Sequence, residues 1–131
     1  MSVWLIQAGL SRPDLILLTG GSYGGYLTLQ ALGKRPDLWA GGIAEAPIAG
    51  WRGLYEDTSD TMIAWAVALF GGKPGEKPEQ YAASSAITYV ENVRAPVVII
   101  QGRNDTRTPP RPVEEYAERM KALNKNVEVH W

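Results

Sequence analysis

Apolar and polar positions along the chain alternate between strand-like and helix-like rhythms. Residues 3–10 put Val3, Trp4, Ile6 and Leu10 on one side of a short helix, which Gly9 and then Pro13-Asp14 bring to an end. Residues 15–19 are a continuous apolar run of strand length and predict a buried strand. Residues 20–25 are a glycine-rich turn. Helical spacing returns over residues 26–32 and is closed by Gly33 and Arg35-Pro36. The small apolar segment AGGIAEA, residues 40–46, predicts a second buried strand. Residues 48–72 are mixed, with a helix expected over DTMIAWAVALF, and GGKPGEKPEQ is a surface loop by its Gly, Pro and Lys content. VVIIQ, residues 97–101, is the clearest strand, launched by Pro96. PPRPVEEYAERMKAL then places Val113, Tyr116, Ala117, Met120 and Leu123 on one helical face. Glu115 and Arg119 form an i,i+4 pair on its other side. The closing VEVHW alternates like a last strand.

Short buried runs separated by helices imply parallel strands joined by right-handed crossovers. The fold class is α/β, a mostly parallel sheet with helices on both faces. The 131 residues suffice for one domain and its core, and 45% hydrophobic against 21% charged residues is an ordinary globular balance. A net charge of −1 gives no long-range attraction for nucleic acid or an anionic membrane, so neither is expected as a partner. The absence of cysteine excludes disulfides and thiolate metal sites. YEDTSD offers carboxylates without the ordered spacing of a calcium loop, so no metal or cofactor is expected. The N-terminal stretch has no basic region and its apolar run is broken by Gln7 and Gly9. Neither a signal peptide nor a membrane span is read there, and the default location is cytoplasmic.

The glycine-rich turn changes the picture. Gly20-Gly21-Ser22-Tyr23-Gly24 satisfies G-x-S-x-G between a predicted strand and a predicted helix. A sharp corner there holds the serine in a strained backbone conformation, and side chains at positions 20 and 24 would clash with the strand and helix being joined. The hydroxyl then stands above the sheet beside a helix N-terminus that favours developing negative charge, and the Tyr23 N–H supplies one oxyanion-hole donor. The rival readings are a turn that merely packs a helix close to a strand, and a phosphate cradle. The second lacks both G-K-[S/T] and G-x-G-x-x-G.

GGSYGGYLTLQAL resembles the serine elbow of the prolyl oligopeptidase family, which includes acylaminoacyl and dipeptidyl peptidases. APVVIIQGRNDTRTPP is similar to that family's later strand and acid loop. The resemblance runs from about residue 10 to residue 131 and implies the C-terminal part of an α/β-hydrolase domain occupying residues 1–131. It implies Ser22 as nucleophile and Asp105 as the acid that orients the base, at the carboxyl edge of the sheet where α/β ligand sites form. Read from residues alone, Asp105 is equally a turn aspartate that caps the next helix.

The resemblance also places the catalytic histidine on a loop after the last strand, and a second oxyanion donor upstream of the elbow strand. The one histidine here is His130, a strand position in VEVHW, and it is read as structural. Loss of the base alone costs on the order of a millionfold in turnover. The chain by itself is therefore expected to have little or no hydrolase activity. An elbow strand with an unpaired edge invites association, so a homodimer or a partner chain is expected. Trp51, Tyr55, Trp65 and Phe70 line an apolar substrate pocket or else pack the crossover helices. Arg52 and Arg103 hold a substrate carbonyl or carboxylate or else simply solvate the surface. The functional expectation is a serine peptidase acting on short peptides through an acyl-enzyme. The alternatives are a carboxylesterase on the same fold and a non-catalytic interaction module.

Overall fold

The computed structural model describes residues 2–131. The chain runs through α1 (Ser2–Gln7), β1 (Leu17–Gly21), α2 (Tyr23–Lys34), β2 (Gly41–Glu45), α3 (Trp51–Asp57), α4 (Asp60–Phe70), α5 (Pro78–Ser84), β3 (Val97–Ile100), α6 (Arg111–Ala122) and β4 (Val127–His130). Short 3₁₀ turns occupy Pro13–Leu15 and Ala86–Asn92. The four strands are all parallel and stand in chain order, with Gly21, Glu45, Ile100 and His130 aligned across the carboxyl edge.

That order decides how the sheet is covered. Strands laid down in one direction by right-handed crossovers receive every connection on the same face. Leu18, Ala44, Val97, Ile99, Val127 and Val129 accordingly meet Leu29 and Leu32 of α2 and Val113, Tyr116 and Met120 of α6 in one core. The opposite face presents Leu17, Ile43 and Ile100 to the outside. The α/β, parallel reading holds, but among the described residues the helices cover one face rather than two. Leu15 and Leu17 are 61% and 64% exposed, so the first apolar run is not a buried strand. The strand also begins two residues later than its composition suggests, because Pro13 opens a 3₁₀ turn that takes up Leu15.

Other differences have local causes. The helix after the elbow starts at Tyr23 rather than residue 26, since a single left-handed residue, Ser22, completes the corner. The surface loop is shorter than expected, because Pro78 starts α5 within it. Leu123 caps α6 and is 41% exposed instead of joining Met120 in the core. Glu115 bonds Arg111 at 2.9 Å, and Arg119 reaches Glu91 at 3.1 Å, so the expected pair between 115 and 119 does not form. Arg111 lies one turn before Glu115, with Glu56 (2.8 Å) and Asp57 (2.5 Å) on its other side, and this cluster ties α3 to α6. Among the described residues, no helix is long and apolar enough to cross a membrane.

Candidate active site

β1 delivers the chain to the carboxyl edge, where Ser22 takes φ 54° and ψ −117° before α2 begins. A non-glycine residue in that conformation costs on the order of 1–3 kcal/mol and persists only where its surroundings enforce it. Here they do. The Ser22 N–H donates to the Glu45 carbonyl at 2.8 Å, and the Ser22 carbonyl accepts from the Tyr26 N–H at 3.0 Å. The side chain is exposed at the edge. Tyr23, the first residue of α2, has an N–H with no intrahelical partner, beside the positive end of the helix.

The glycines divide differently from the sequence reading. A Cβ at Gly20 would lie 2.5 Å from the Gly24 carbonyl oxygen, and one at Gly25 would lie 2.9 Å from the Glu45 carbonyl oxygen. A Cβ at Gly24 would meet nothing within 4 Å. Residues 20 and 25 therefore permit the close approach. Gly24 faces away from β1, because the helix has already turned by that point.

Asp105 lies in the loop after β3. Its Oδ1 accepts from the N–H groups of Arg107 (2.8 Å) and Thr108 (2.9 Å), and its Oδ2 accepts from the Thr108 hydroxyl (2.8 Å). Partial burial would push this carboxyl up, but the hydrogen bonds from Thr108 and Arg107 outweigh it and hold the group below the ordinary aspartate value. The carboxylate thus ties its own loop at the carboxyl edge, but it does not cap α6, whose N-cap Pro110 has no side-chain hydrogen bond, so the helix-capping reading does not hold. β1 and β3 are two strand spacings apart, about 10 Å. His130 is on β4, three spacings or about 14 Å from β1. It pairs with Glu128 at 2.8 Å, so it does not reach Ser22.

A cleft of about 440 Å³ opens beside the elbow, walled by Tyr23, Tyr26, Trp51, Leu69 and Phe70. Trp51 is 1% exposed and packs edge-on to Tyr26 (5.3 Å) and Phe70 (5.1 Å). Its main-chain N–H is fixed by the Ser85 hydroxyl at 3.0 Å. Trp65 does not line the cleft but packs on two of its wall residues, 5.4 Å from Trp51 and 6.2 Å from Tyr23. Tyr55 is not brought here. It lies one turn further along the same face of α3 as Trp51, where it packs on Tyr81 and lines a separate hollow with Arg52 and Lys73. Arg103 stacks on the Trp131 ring at 4.8 Å, which occupies the guanidinium face. The sequence reading missed Tyr26, although its i+3 spacing from Tyr23 already places both on one helix face. Among the described residues, no group of three or more His, Asp or Glu is placed to hold a metal ion.

An exposed serine on a strained strand-to-helix corner, with a hydrogen-bonded aspartate two strands along, is the layout of the α/β hydrolases. The model of the prolyl oligopeptidase family matches residues 1–131. The chain belongs to this family of serine-type peptidases. Dipeptidyl aminopeptidase BIII of Pseudoxanthomonas mexicana is 31% identical over 92% of this chain and 18% of its own length. Acylamino-acid-releasing enzyme 1 of Oryza sativa subsp. japonica is 26% identical over 96% of this chain and 17% of its own. In three dimensions, the acylaminoacyl peptidase of Pyrococcus horikoshii superposes with a TM-score of 0.85 at 27% identity, covering 98% of this chain and 21% of that one. The family member described here thus spans about a fifth of the length of the relatives it matches.

Proposed function

We propose that this segment carries two members of a Ser-His-Asp triad, Ser22 as nucleophile and Asp105 as acid, within a peptidase that works through an acyl-enzyme. The single observation behind the reading is the Ser22 corner, whose φ of 54° and exposed side chain serve no packing purpose. In this mechanism an imidazole between the two loops takes the Ser22 proton as the hydroxyl attacks a substrate carbonyl. The resulting oxyanion receives the Tyr23 N–H, and the proton passes to the leaving amine. Asp105, ionised and fixed, holds the imidazole in its working tautomer. The aromatic cleft behind Tyr23 receives an apolar side chain or acyl group of a short peptide, with Trp51 as its wall.

Residues 1–131 are, in this reading, the C-terminal part of a hydrolase domain, and because the chain's one histidine is engaged with Glu128 they turn over little substrate by themselves. The longer polypeptide that carries the segment supplies the base. Its substrates are peptides of the acylaminoacyl or dipeptidyl kind. An ester substrate is the second reading, favoured by the 26% identity over 131 residues to a probable carboxylic ester hydrolase of Mycobacterium tuberculosis. The bare edge of β1 suits a second copy or a partner chain.

The test compares the longer polypeptide with its Ser22→Ala variant on aminoacyl amides, short acyl esters and a fluorophosphonate. Labelling and amide turnover that vanish together in Ser22→Ala are expected. Undiminished turnover in that variant would remove the triad reading, and ester turnover alone would establish the esterase.

A further inference from the structure

The Asp105 carboxylate is held by more than the main-chain donors a turn supplies. Two N–H groups converge on Oδ1, from Arg107 and Thr108, and they fill both of its in-plane lone pairs. The Thr108 hydroxyl takes one lone pair of Oδ2 at 2.8 Å. The other Oδ2 lone pair is the one acceptor position left on the group among the described residues. Thr108 is itself fixed. It is 4% exposed, and its carbonyl accepts from Nε2 of the buried Gln101 at 2.8 Å. Gln101 directly follows β3, and its main-chain N–H donates to the His130 carbonyl at 2.9 Å. A continuous line of hydrogen bonds therefore leads from the sheet edge through Gln101 and Thr108 to the carboxylate.

We propose that Thr108 is a positioning residue, whose hydroxyl sets the rotation of the Asp105 carboxylate so that the remaining Oδ2 lone pair faces the catalytic base. The proposal rests on the reading of Asp105 as the triad acid. The terminal torsion of aspartate is broad, and donors on Oδ1 alone let the planar group rock about its Cβ–Cγ bond within the spread of hydrogen-bond geometry. A side-chain donor on Oδ2 narrows that rocking by holding the other end of the group. Gln101 holds that donor from behind, at the rigid end of a strand. The charged group acting on the carboxylate is Arg107, whose effect is smaller than that of the hydrogen bonds.

The test titrates the Asp105 side-chain carboxyl carbon by NMR in the 131-residue chain and in Thr108→Val, Thr108→Ala and Thr108→Ser. Val and Ala both remove the donor, and Ala does so without adding a methyl group beside the carboxylate. In either one the midpoint is expected to rise by about half to one pH unit. Thr108→Ser retains the hydroxyl and is expected to titrate with the unsubstituted chain. In the longer polypeptide, Val and Ala are expected to lower kcat by roughly tenfold with KM little changed, a fraction of what losing the aspartate costs, and Ser restores it. Val and Ala variants that titrate like the unsubstituted chain would overturn the proposal, as would a Ser variant that shifts as far as they do. Full turnover by Ser22→Ala would overturn the hydrolase reading, and this role with it, even where the titration shift is found. Inactive Ser22→Ala with no titration shift overturns Thr108 alone.

Discussion

The main-chain N–H of Ser22 donates to the carbonyl oxygen of Glu45 over 2.8 Å, so the corner after β1 is tied to the end of β2. Glu45 is followed by Ala46, itself at φ 41°, whose N–H donates to the Ile100 carbonyl at 2.8 Å. Three successive strand ends are thereby joined across the carboxyl edge, and the tightness of the elbow depends on them.

That tightness separates two neighbouring glycines. Gly20→Ala would force a Cβ to within 2.5 Å of the Gly24 carbonyl oxygen. It is expected to cost about 1–3 kcal/mol of stability, as overpacking does. Gly24→Ala meets open space inside a helix, and the loss of glycine there is expected to add about 0.5–1 kcal/mol. Urea unfolding of the two variants measures the contrast, and equal effects would refute the geometry of the corner.

Ser22 itself holds a side chain in a conformation that costs stability. Ser22→Gly relieves a side chain held at φ 54° and is expected to stabilise the chain by about 1 kcal/mol. The same substitution abolishes fluorophosphonate labelling of the longer polypeptide. A fall in the thermal midpoint would show that the conformation carries no strain.

How much of this was legible beforehand varied with how local the cause was. The elbow could be read because G-x-S-x-G names its own geometry, whereas Asp105 stood out only through the resemblance of its loop, since Asn104-Asp105-Thr106 by itself is ordinary turn composition. The roles of Gly20 and Gly25 could not be divided from Gly24, since the division depends on where Glu45 lies, on another strand. The one-sided sheet was hidden for a similar reason. Leu15 to Leu18 is equally apolar whether one face is covered or two, and only the strand order decides. Tyr55 and Trp51 looked alike as aromatics between strands and share a face of α3, yet a turn apart along it they meet different neighbours, Tyr81 and Tyr26.

The buried hydroxyl of Tyr116 has no hydrogen-bond partner among the described residues, and burial pushes its ionisation up from the ordinary tyrosine value. A group whose folded pKa is raised contributes stability that is complete below its unfolded value, near pH 10, and lost as pH rises toward the folded one. Tyr116→Phe is therefore expected to raise stability by about 1 kcal/mol at pH 7, where the unpartnered hydroxyl is only a cost. It is also expected to flatten the decline above about pH 10. Denaturant midpoints at pH 7 and pH 10.5 check both.

The outer side of β1 has no strand partner among the described residues, and Leu17 is exposed beside it. Sedimentation velocity is expected to show reversible self-association that grows with concentration. Leu17→Lys is expected to return the chain to a monomer, since an inward or edge lysine blocks strand pairing. A wild-type chain that stays monomeric throughout would set this expectation aside.

A sheet whose strands stand in the order of synthesis adds each new strand beside the one made before it, although β2 and β3 meet only after α3, α4 and α5 have been placed between them. Each strand and its following helix can dock on the unit made just before. The long crossover is the slow step, but each doubling of a loop adds only about 0.6 kcal/mol, so folding can advance from the amino end while the rest of the chain is still being made.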